Sequence, residues 1–380
     1  MNLGRRNFIK KSLLASMAAT ALPMVLSAGY PANEKIVIGL TGGGSKAFQN
    51  LKFFLSRFNT ECGAIYDSDK NNLEKQAAEI ARVQGKKPLI YNDYRSLLEN
   101  KDIDVIVNSF SGNIKLLIAA CEAGKHIYTK IPLAVNNEEL NALADLQKLH
   151  GYAFQTDYWY NSIPKLKYTM HQLQSGKFGT IQAVRLWNYS ANHNSAYTEI
   201  NAGGNNNSKK SVHEQDLHFL YAAFSGINKK QPFSVISTGN NYSFPIKQNE
   251  NPDTMMSVFD YDRFKFIWDR SASIHHKQYN RAKGVAFICT KNTLLIDEQG
   301  WQLSAESKNS GKYKNIEIHK FTEKEIIQHI GNFLTNVREQ RIPDTSFKTA
   351  ALISKANQLA TNSYLLKKKL IWTSDKFSLF

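Results

Sequence analysis

An apolar run of strand length, Lys35-Ile36-Val37-Ile38-Gly39-Leu40, passes into Thr41-Gly42-Gly43-Gly44-Ser45-Lys46-Ala47. A helical period follows, carried by Ala47, Leu51, Phe54 and Leu55. A strand that turns on glycines straight into a helix leaves few architectures open, because the helix must pack back on the sheet that holds its own strand. Gly42 permits the tight turn, Gly44 lets another group approach the backbone, and Ala47 is small enough for close helix–strand contact. Beyond Gly43, at Ser45 and Lys46, the first helical N–H groups are free to meet phosphate oxygens. An ordinary glycine turn is the competing reading of these residues taken alone.

The next segments narrow the choice. Glu61-Cys62-Gly63-Ala64-Ile65-Tyr66 reads as a second strand, with Asp67 at its C-terminal end, 25 residues after Gly42. A carboxylate there can accept hydrogen bonds from both hydroxyls of an adenosine ribose and repel a 2′-phosphate. This favours NAD, with NADP kept open because Lys46 and Lys70 lie nearby; a helix N-cap is the alternative role for Asp67. Strand-like Leu89–Tyr91, Asp104–Val107 and His126–Thr129 then alternate with helices over 93–100, 114–123 and 137–150. Such alternation predicts a doubly wound parallel sheet, a Rossmann domain over residues 33–153.

The texture changes after Phe154-Gln155-Thr156. A helix over Pro164–Ser175 ends at Gly176, and Thr180–Asn188 alternates as a half-buried strand. Further strands are expected over 233–237, 255–261, 264–268 and 293–297. Residues 154–380 therefore read as an α+β domain with a large, mainly antiparallel open sheet. Asn201–Lys210 reads as a polar loop.

Composition excludes several classes. Cys62, Cys121 and Cys289 cannot build a disulfide framework, and no Cys/His spacing suggests a metal site. The net charge of +16 could attract nucleic acid, but the lysines are scattered and no nucleic-acid signature appears, so no such partner is expected. At the front, Arg5-Arg6-Asn7-Phe8-Ile9-Lys10 precedes a 14-residue apolar stretch, Leu13–Leu26. That stretch is short of the ~20 residues of a stable membrane span. The pattern fits a twin-arginine export signal over residues 1–29, with a periplasmic or otherwise exported product and no stable membrane anchor.

In this order and spacing the chain resembles the glucose–fructose oxidoreductase, inositol dehydrogenase and rhizopine catabolism family (Gfo/Idh/MocA). The resemblance rests on Ile38–Gly44, Ala123-Gly124-Lys125-His126-Ile127, Pro132-Leu133-Ala134, Gly176–Ile181, His213-Glu214-Gln215-Asp216, Gly284–Phe287 and Asn332-Phe333-Leu334. It implies an NAD(P)-dependent oxidoreductase acting on a small carbohydrate or polyol by hydride transfer, and a homo-oligomer paired through the open face of the second sheet. It also places Ser109 and Pro132 beside the cofactor, and makes His213 the general acid/base. Some relatives are NAD-dependent glycosidases that oxidise a sugar ring transiently.

Departures from the family pattern bear on the chemistry. Where relatives carry Glu-Lys-Pro, with a catalytic lysine, this chain reads Lys130-Ile131-Pro132. Isoleucine cannot donate a hydrogen bond, so Lys130 becomes the candidate helper, with a surface or pyrophosphate-side lysine as the alternative. Lys209 stands four residues before His213, where many relatives have an aspartate. A positive neighbour there would lower the His213 pKa and leave a neutral base. These substitutions also motivate a rival: a nucleotide-binding protein that binds a glycan without turnover. Tyr158, Trp159 and Tyr160 are read either as a sugar platform or as packing, and His126 as structural. Export imposes one further condition. Without a free NADH pool outside the membrane, the cofactor must be tightly held and returned to its starting state in each cycle.

Overall fold

The computed structural model describes residues 34–42, 45–110, 113–130, 152–189, 216–228, 230–242, 252–272, 276–306, 313–341 and 347–373, with 142–143, 145–146 and 274. The expected export signal and the polar loop over 201–210 lie outside the described residues, as does the helix expected over 137–150 apart from 142–143 and 145–146, which are helical.

The first sheet is built from β1 (Ile36–Thr41), β2 (Thr60–Tyr66), β3 (Leu89–Tyr91), β4 (Val105–Asn108), β5 (His126–Thr129) and β6 (Phe154–Thr156), in the order β3-β2-β1-β4-β5-β6 and parallel throughout. Its connecting helices are α1 (Ser45–Arg57), α2 (Lys70–Gln84), α3 (Tyr94–Glu99) and α4 (Ile114–Glu122). Chain order reverses at β1, which pairs with β2 on one side and β4 on the other. Ligands of open α/β sheets bind at such a reversal, outside the carboxyl ends of the strands. This is the Rossmann-type sheet expected from the sequence. It continues one strand past residue 153, because β6 pairs with β5.

Packing explains why these segments hold their places. Ile36, Ile38 and Leu40 of β1 share a buried cluster with Leu51 and Phe54 of α1 and with Leu73, Ala77 and Ile80 of α2. Fully burying each large side chain contributes about 1.5–3 kcal/mol. The same cluster takes Ile330, Phe333, Leu334 and Val337 from α7 (Glu323–Glu339). A helix far along the chain thus returns to the first sheet. Its start is fixed by a capping box between Thr322 and Glu325. Helix α2 begins at an N-cap, Asp69, whose carboxylate accepts from Asn71 N at 2.9 Å.

The second lobe carries a nine-stranded sheet of β7 (Ile181–Asn188), β8 (Ser234–Asn240), β9 (Thr254–Asp260), β10 (Lys265–Ser271), β11 (Lys283–Cys289), β12 (Thr293–Ile296), β13 (Gly300–Glu306), β14 (Tyr313–Lys320) and β15 (Leu370–Ile371). The order is β14-β13-β12-β11-β7-β10-β9-β8-β15, antiparallel except where β7 and β10 run side by side. One face packs on α5 (Pro164–Gln174), α6 (Leu217–Gly226) and α8 (Phe347–Leu366) through Val184, Leu186, Phe266, Trp268 and Phe287. Arg185 and Trp187 alternate onto the other face, where Ile274 and Tyr279 cover Trp187. No helix among the described residues is long and apolar enough to cross a membrane.

Candidate functional site

The carboxyl ends of the first sheet's strands lie in one register. Thr41 pairs with Asn108, Asn108 with Thr129, and Thr129 with Thr156. Four polar residues in a row at the rim of an apolar sheet would be costly unless satisfied. Three of them are tied together. Thr41 Oγ1 donates to Asn108 Oδ1 at 2.9 Å, and Asn108 Nδ2 donates to Thr129 Oγ1 at 2.9 Å. Thr129 Oγ1 passes its own proton to the carbonyl of Lys130 at 3.0 Å. Thr156 Oγ1, at the end of the row, is buried without a hydrogen-bond partner among the described residues.

This relay fixes the loops that leave the sheet. Asn108 also holds Phe110, donating from Nδ2 to its carbonyl at 2.9 Å and accepting its N–H at 3.3 Å. Ser109 N donates to Thr41 O at 2.8 Å, and Lys130 N to Asn108 O at 3.2 Å. The turns after β1, β4 and β5 are therefore locked through one buried asparagine.

Gly42 opens the turn after β1 with φ +83°, and its N–H donates to Tyr66 O at 2.9 Å. An added Cβ would stand 3.1 Å from Phe110 N and 3.2 Å from the Phe110 ring. Backbone angle and space both demand glycine there. Gly43 and Gly44 lie outside the described residues. Ser45, Lys46 and Ala47 form the first positions of α1, their side chains likewise outside the description.

Asp67 closes β2 beside this turn. Its Oδ1 accepts Asp69 N at 3.0 Å and Ser68 Oγ at 3.4 Å. The alternative sequence reading, an N-cap at Asp67, does not hold, since Asp69 caps α2. Tyr66 stands against Phe110 and Tyr94, with both ring-centroid distances 6.0 Å. Burial, with the carboxylates of Asp93 and Asp67 next, raises the Tyr66 phenol pKa. The Ser96 N–H holds the Asp93 carboxyl below its usual range. Two carboxylates thus stand near Tyr66, and Asp93 has Arg95 Nη1 3.9 Å from its Oδ1.

Lys130 follows β5 at the same rim and is half-buried. His213, Ile131, Pro132 and Lys209 lie outside the described residues. Asp216, the last residue of the His-x-x-Asp motif, is fully buried just before α6. Its carboxylate takes hydrogen bonds from Asn188 Nδ2 and, at 2.9 Å, from Trp268 Nε1. Burial raises its pKa, and Arg270 opposes that rise. The last residue of the motif is thus anchored to the second sheet.

Other sequence candidates turn out to be framework. His126 Nδ1 accepts Ala153 N at 3.1 Å, and burial lowers its pKa to about 4. Tyr158 packs on Tyr221 and His218 at 4.6 and 4.7 Å, and Trp159 stacks on Tyr160 at 4.4 Å, so this trio is packing. His329 of α7 was not singled out in the sequence. Its Nδ1 lies 2.7 Å from Ser162 Oγ, and its Nε2 lies 3.0 Å from Thr156 O. Burial lowers its pKa to about 3. Nothing in the spacing around residue 329 marks it, because both partners come from a segment about 170 residues away.

No family model matches the chain. Among solved structures, levoglucosan dehydrogenase in complex with NADH superposes with a TM-score of 0.68 at 17% identity, covering 89% of this chain and 99% of that one. Myo-inositol 2-dehydrogenase from Lactobacillus plantarum gives 0.70 at 15%, covering 90% and 100%. Scyllo-inositol dehydrogenase from Lactobacillus casei, with bound NAD(H) and scyllo-inositol, gives 0.69 at 15%, covering 89% and 99%. The two-lobed architecture is that of the NAD-binding sugar and polyol dehydrogenases, and the resemblance to Gfo/Idh/MocA proteins holds at the level of the fold.

In sequence, the chain is 29% identical over 168 residues to a glycosyl hydrolase family 109 protein of Shewanella baltica (strain OS185), covering 38% of this chain and 37% of that one. It is 31% identical over 121 residues to glycosyl hydrolase family 109 protein 1 of Shewanella sp. (strain ANA-3), covering 30% and 26%. The matches span between about a quarter and little more than a third of those relatives' length.

Proposed function

We propose that this chain is an exported, NAD-dependent enzyme that acts on the ring of a sugar, polyol or glycoside. The observation that carries the reading is the locked turn at Gly42, set beside Asp67 at the point where strand order reverses. The residues present fit a dinucleotide. Gly42 is held in a left-handed turn at the start of α1, whose N-terminus suits a pyrophosphate. Asp67 lies at the end of β2, where a ribose would sit. The Asp67 carboxylate disfavours a 2′-phosphate, which favours NAD over NADP. Ser109 and Pro132 would flank the cofactor on the β4 and β5 side.

Reversible hydride acceptance is the chemistry the nicotinamide supplies when bound. In this proposal His213 takes the proton of the substrate hydroxyl as its carbon is oxidised, and returns it when the hydride comes back. Lys130 steadies the developing charge on that oxygen. Export through the twin-arginine signal agrees with a cofactor that enters folded with the protein. Assembly is proposed through the open face of the second sheet. There Ile236, Val258 and Ile267 lie opposite one another on adjacent strands, with Ile236 50% exposed. Size-exclusion chromatography with light scattering measures that assembly; a monomer at every concentration would remove it.

Similarity to glycosyl hydrolases favours a second reading within the same chemistry. Oxidation of a ring hydroxyl to a ketone acidifies the neighbouring C–H. Loss of that proton expels the glycosidic group, water adds to the resulting double bond, and the hydride returns to the ketone. The redox balance closes without an outside reductant. One experiment separates the readings. Purified protein is examined for bound dinucleotide, then mixed with sugars, polyols and nitrophenyl glycosides while nicotinamide absorbance and nitrophenol release are followed. An absorbance change with a free sugar supports the dehydrogenase, and nitrophenol release supports the glycosidase. Bound nucleotide with neither response supports a glycan-binding protein without turnover.

A further inference from the structure

Helix α8 ends at the outer edge of the second sheet, where the chain turns into β15, the last strand in the sheet order. The turn is firmly built. Lys367 N donates to Tyr364 O at 3.3 Å, and Lys368 N to Ser363 O at 3.2 Å. Ser363 Oγ donates to Lys368 O at 2.6 Å and accepts Ser237 N at 2.9 Å, which fastens the end of α8 to β8. Leu370 and Ile371 then pair with Val235 and Ser234. Beyond them, Lys355 Nζ donates to Thr373 O at 2.6 Å and lies over the Trp372 ring.

What this frame presents to solvent is unlike an ordinary helix end. Leu365 and Leu366 are 54% and 59% exposed, Ile371 is 64% exposed, and Lys367, Lys368 and Lys369 between them are exposed as well. Basic residues at a helix C-terminus complement its dipole, which accounts for the lysines but not for two bare leucines. Lys367 also holds a left-handed backbone, φ 52°, where glycine is the usual residue. A charge is thus carried where the backbone favours glycine. Along the same edge Phe233 is exposed, its carbonyl accepting Trp372 N at 2.8 Å, with Lys230 exposed shortly before it. The carboxylates nearby are engaged: Asp260 pairs with Lys265 and Lys369, and Asp262 with Arg263. Among the described residues Lys230, Lys367 and Lys368 have no carboxylate partner.

Exposed aliphatic side chains among unneutralised lysines fit a partner with anionic charge at its surface and hydrocarbon just beneath. A polyanionic glycan offers the charge without the hydrocarbon, and a second copy of this chain brings the same positive charge to the contact. We propose that this edge is a peripheral docking surface for bilayers that contain anionic phospholipid. Leu365, Leu366 and Ile371 enter the boundary between headgroups and acyl chains, while Lys367 and Lys368 meet the phosphates. Such docking is reversible, because a few side chains bury far less apolar surface than a spanning helix. The inference rests on neither the dinucleotide reading nor the export reading.

The test is hydrogen exchange read by mass spectrometry on the full chain, following the peptide over 363–372. Vesicles of phosphatidylcholine alone are compared with vesicles of equal parts phosphatidylcholine and phosphatidylglycerol. The neutral vesicles control for Leu13–Leu26, an apolar run that would meet either lipid alike. Slowed exchange over 363–372 is expected on the anionic vesicles alone, and high salt is expected to abolish it. Lys367→Gln combined with Lys368→Gln is expected to raise the lipid concentration for half-protection about tenfold or more. Leu365→Ser combined with Leu366→Ser is expected to raise it too, with melting temperatures near wild type because both positions are exposed. Exchange that is unchanged on anionic vesicles, slowed equally on neutral ones, or indifferent to the paired lysine substitutions would overturn the proposal. So would slowing that grows with protein concentration without lipid, which assigns the edge to a second copy, or slowing by heparin as strong as by the anionic vesicles, which assigns it to a glycan.

Discussion

Phe110 lies directly over Gly42, its backbone nitrogen 3.1 Å from the point where any side chain at residue 42 would begin. The loop after β4 therefore forms the lid of the turn after β1, and the two cannot be altered separately. Replacing Gly42 by alanine costs about 1–2 kcal/mol for the left-handed backbone alone, and the contact with Phe110 adds to it. Gly42→Ala is expected to weaken NAD binding at least about tenfold in calorimetry while far-ultraviolet circular dichroism stays native. Undiminished NAD binding would separate the turn from the nucleotide.

Asn108 is the common partner of Thr41, Thr129 and Phe110. Asn108→Ala leaves the Thr41 hydroxyl and the Phe110 backbone groups without that partner, at about 1–3 kcal/mol for each buried group. Thermal unfolding is expected several degrees lower. A melting temperature equal to wild type would mean that the relay contributes nothing to stability.

In the proposed function, charge at the end of β2 governs the choice between nucleotides. Asp67→Ser removes one carboxylate from beside Tyr66 but leaves Asp93. NADP is then expected to bind more tightly than to wild type, with NAD weakened as its ribose contact is lost. Competition calorimetry with both nucleotides checks this, and an unchanged ratio would take Asp67 out of ribose recognition.

His329 makes stability depend on pH in a definite direction. Burial lowers its pKa from 6.5 to about 3, so between those values the unfolded chain binds a proton that the native chain refuses. Its contribution is complete above about pH 6.5 and is lost as pH falls toward 3. Burial lowers His126 to about 4 in the same sense. Urea unfolding of wild type and His329→Asn at pH 7 and pH 4.5 isolates the term. The variant is expected to lose less stability on acidification than wild type, and identical pH dependences would contradict the assignment.

Much of the first lobe was legible because its signals are local. Glycines 42–44, the run into Asp67 and the alternation of short apolar strands with helices all lie within a few dozen residues. The second sheet was legible only in part. β11 and β13 flank β12, and β14 lies beyond β13; β11 carries an unbroken apolar run, Val285–Ile288, in place of an alternation, and Trp187 is buried on the nominally open face by Ile274 and Tyr279. The return of α7 to the first sheet was hidden for another reason. Its apolar stripe shows that a face is buried but not against which lobe. At the rim, Thr41, Asn108 and Thr129 look like unremarkable strand ends until register places them side by side. Asp67 was identified by position, yet only the structure removes its alternative as a cap.

The central claim is that the end of the first sheet holds NAD. Calorimetric titration of folded, nucleotide-free protein with NAD, together with release and chromatography of any dinucleotide carried through purification, tests it directly. One NAD per chain, already bound or taken up on titration and lost in Gly42→Ala, is the predicted result. Folded protein that neither carries nor takes up NAD or NADP would contradict the account.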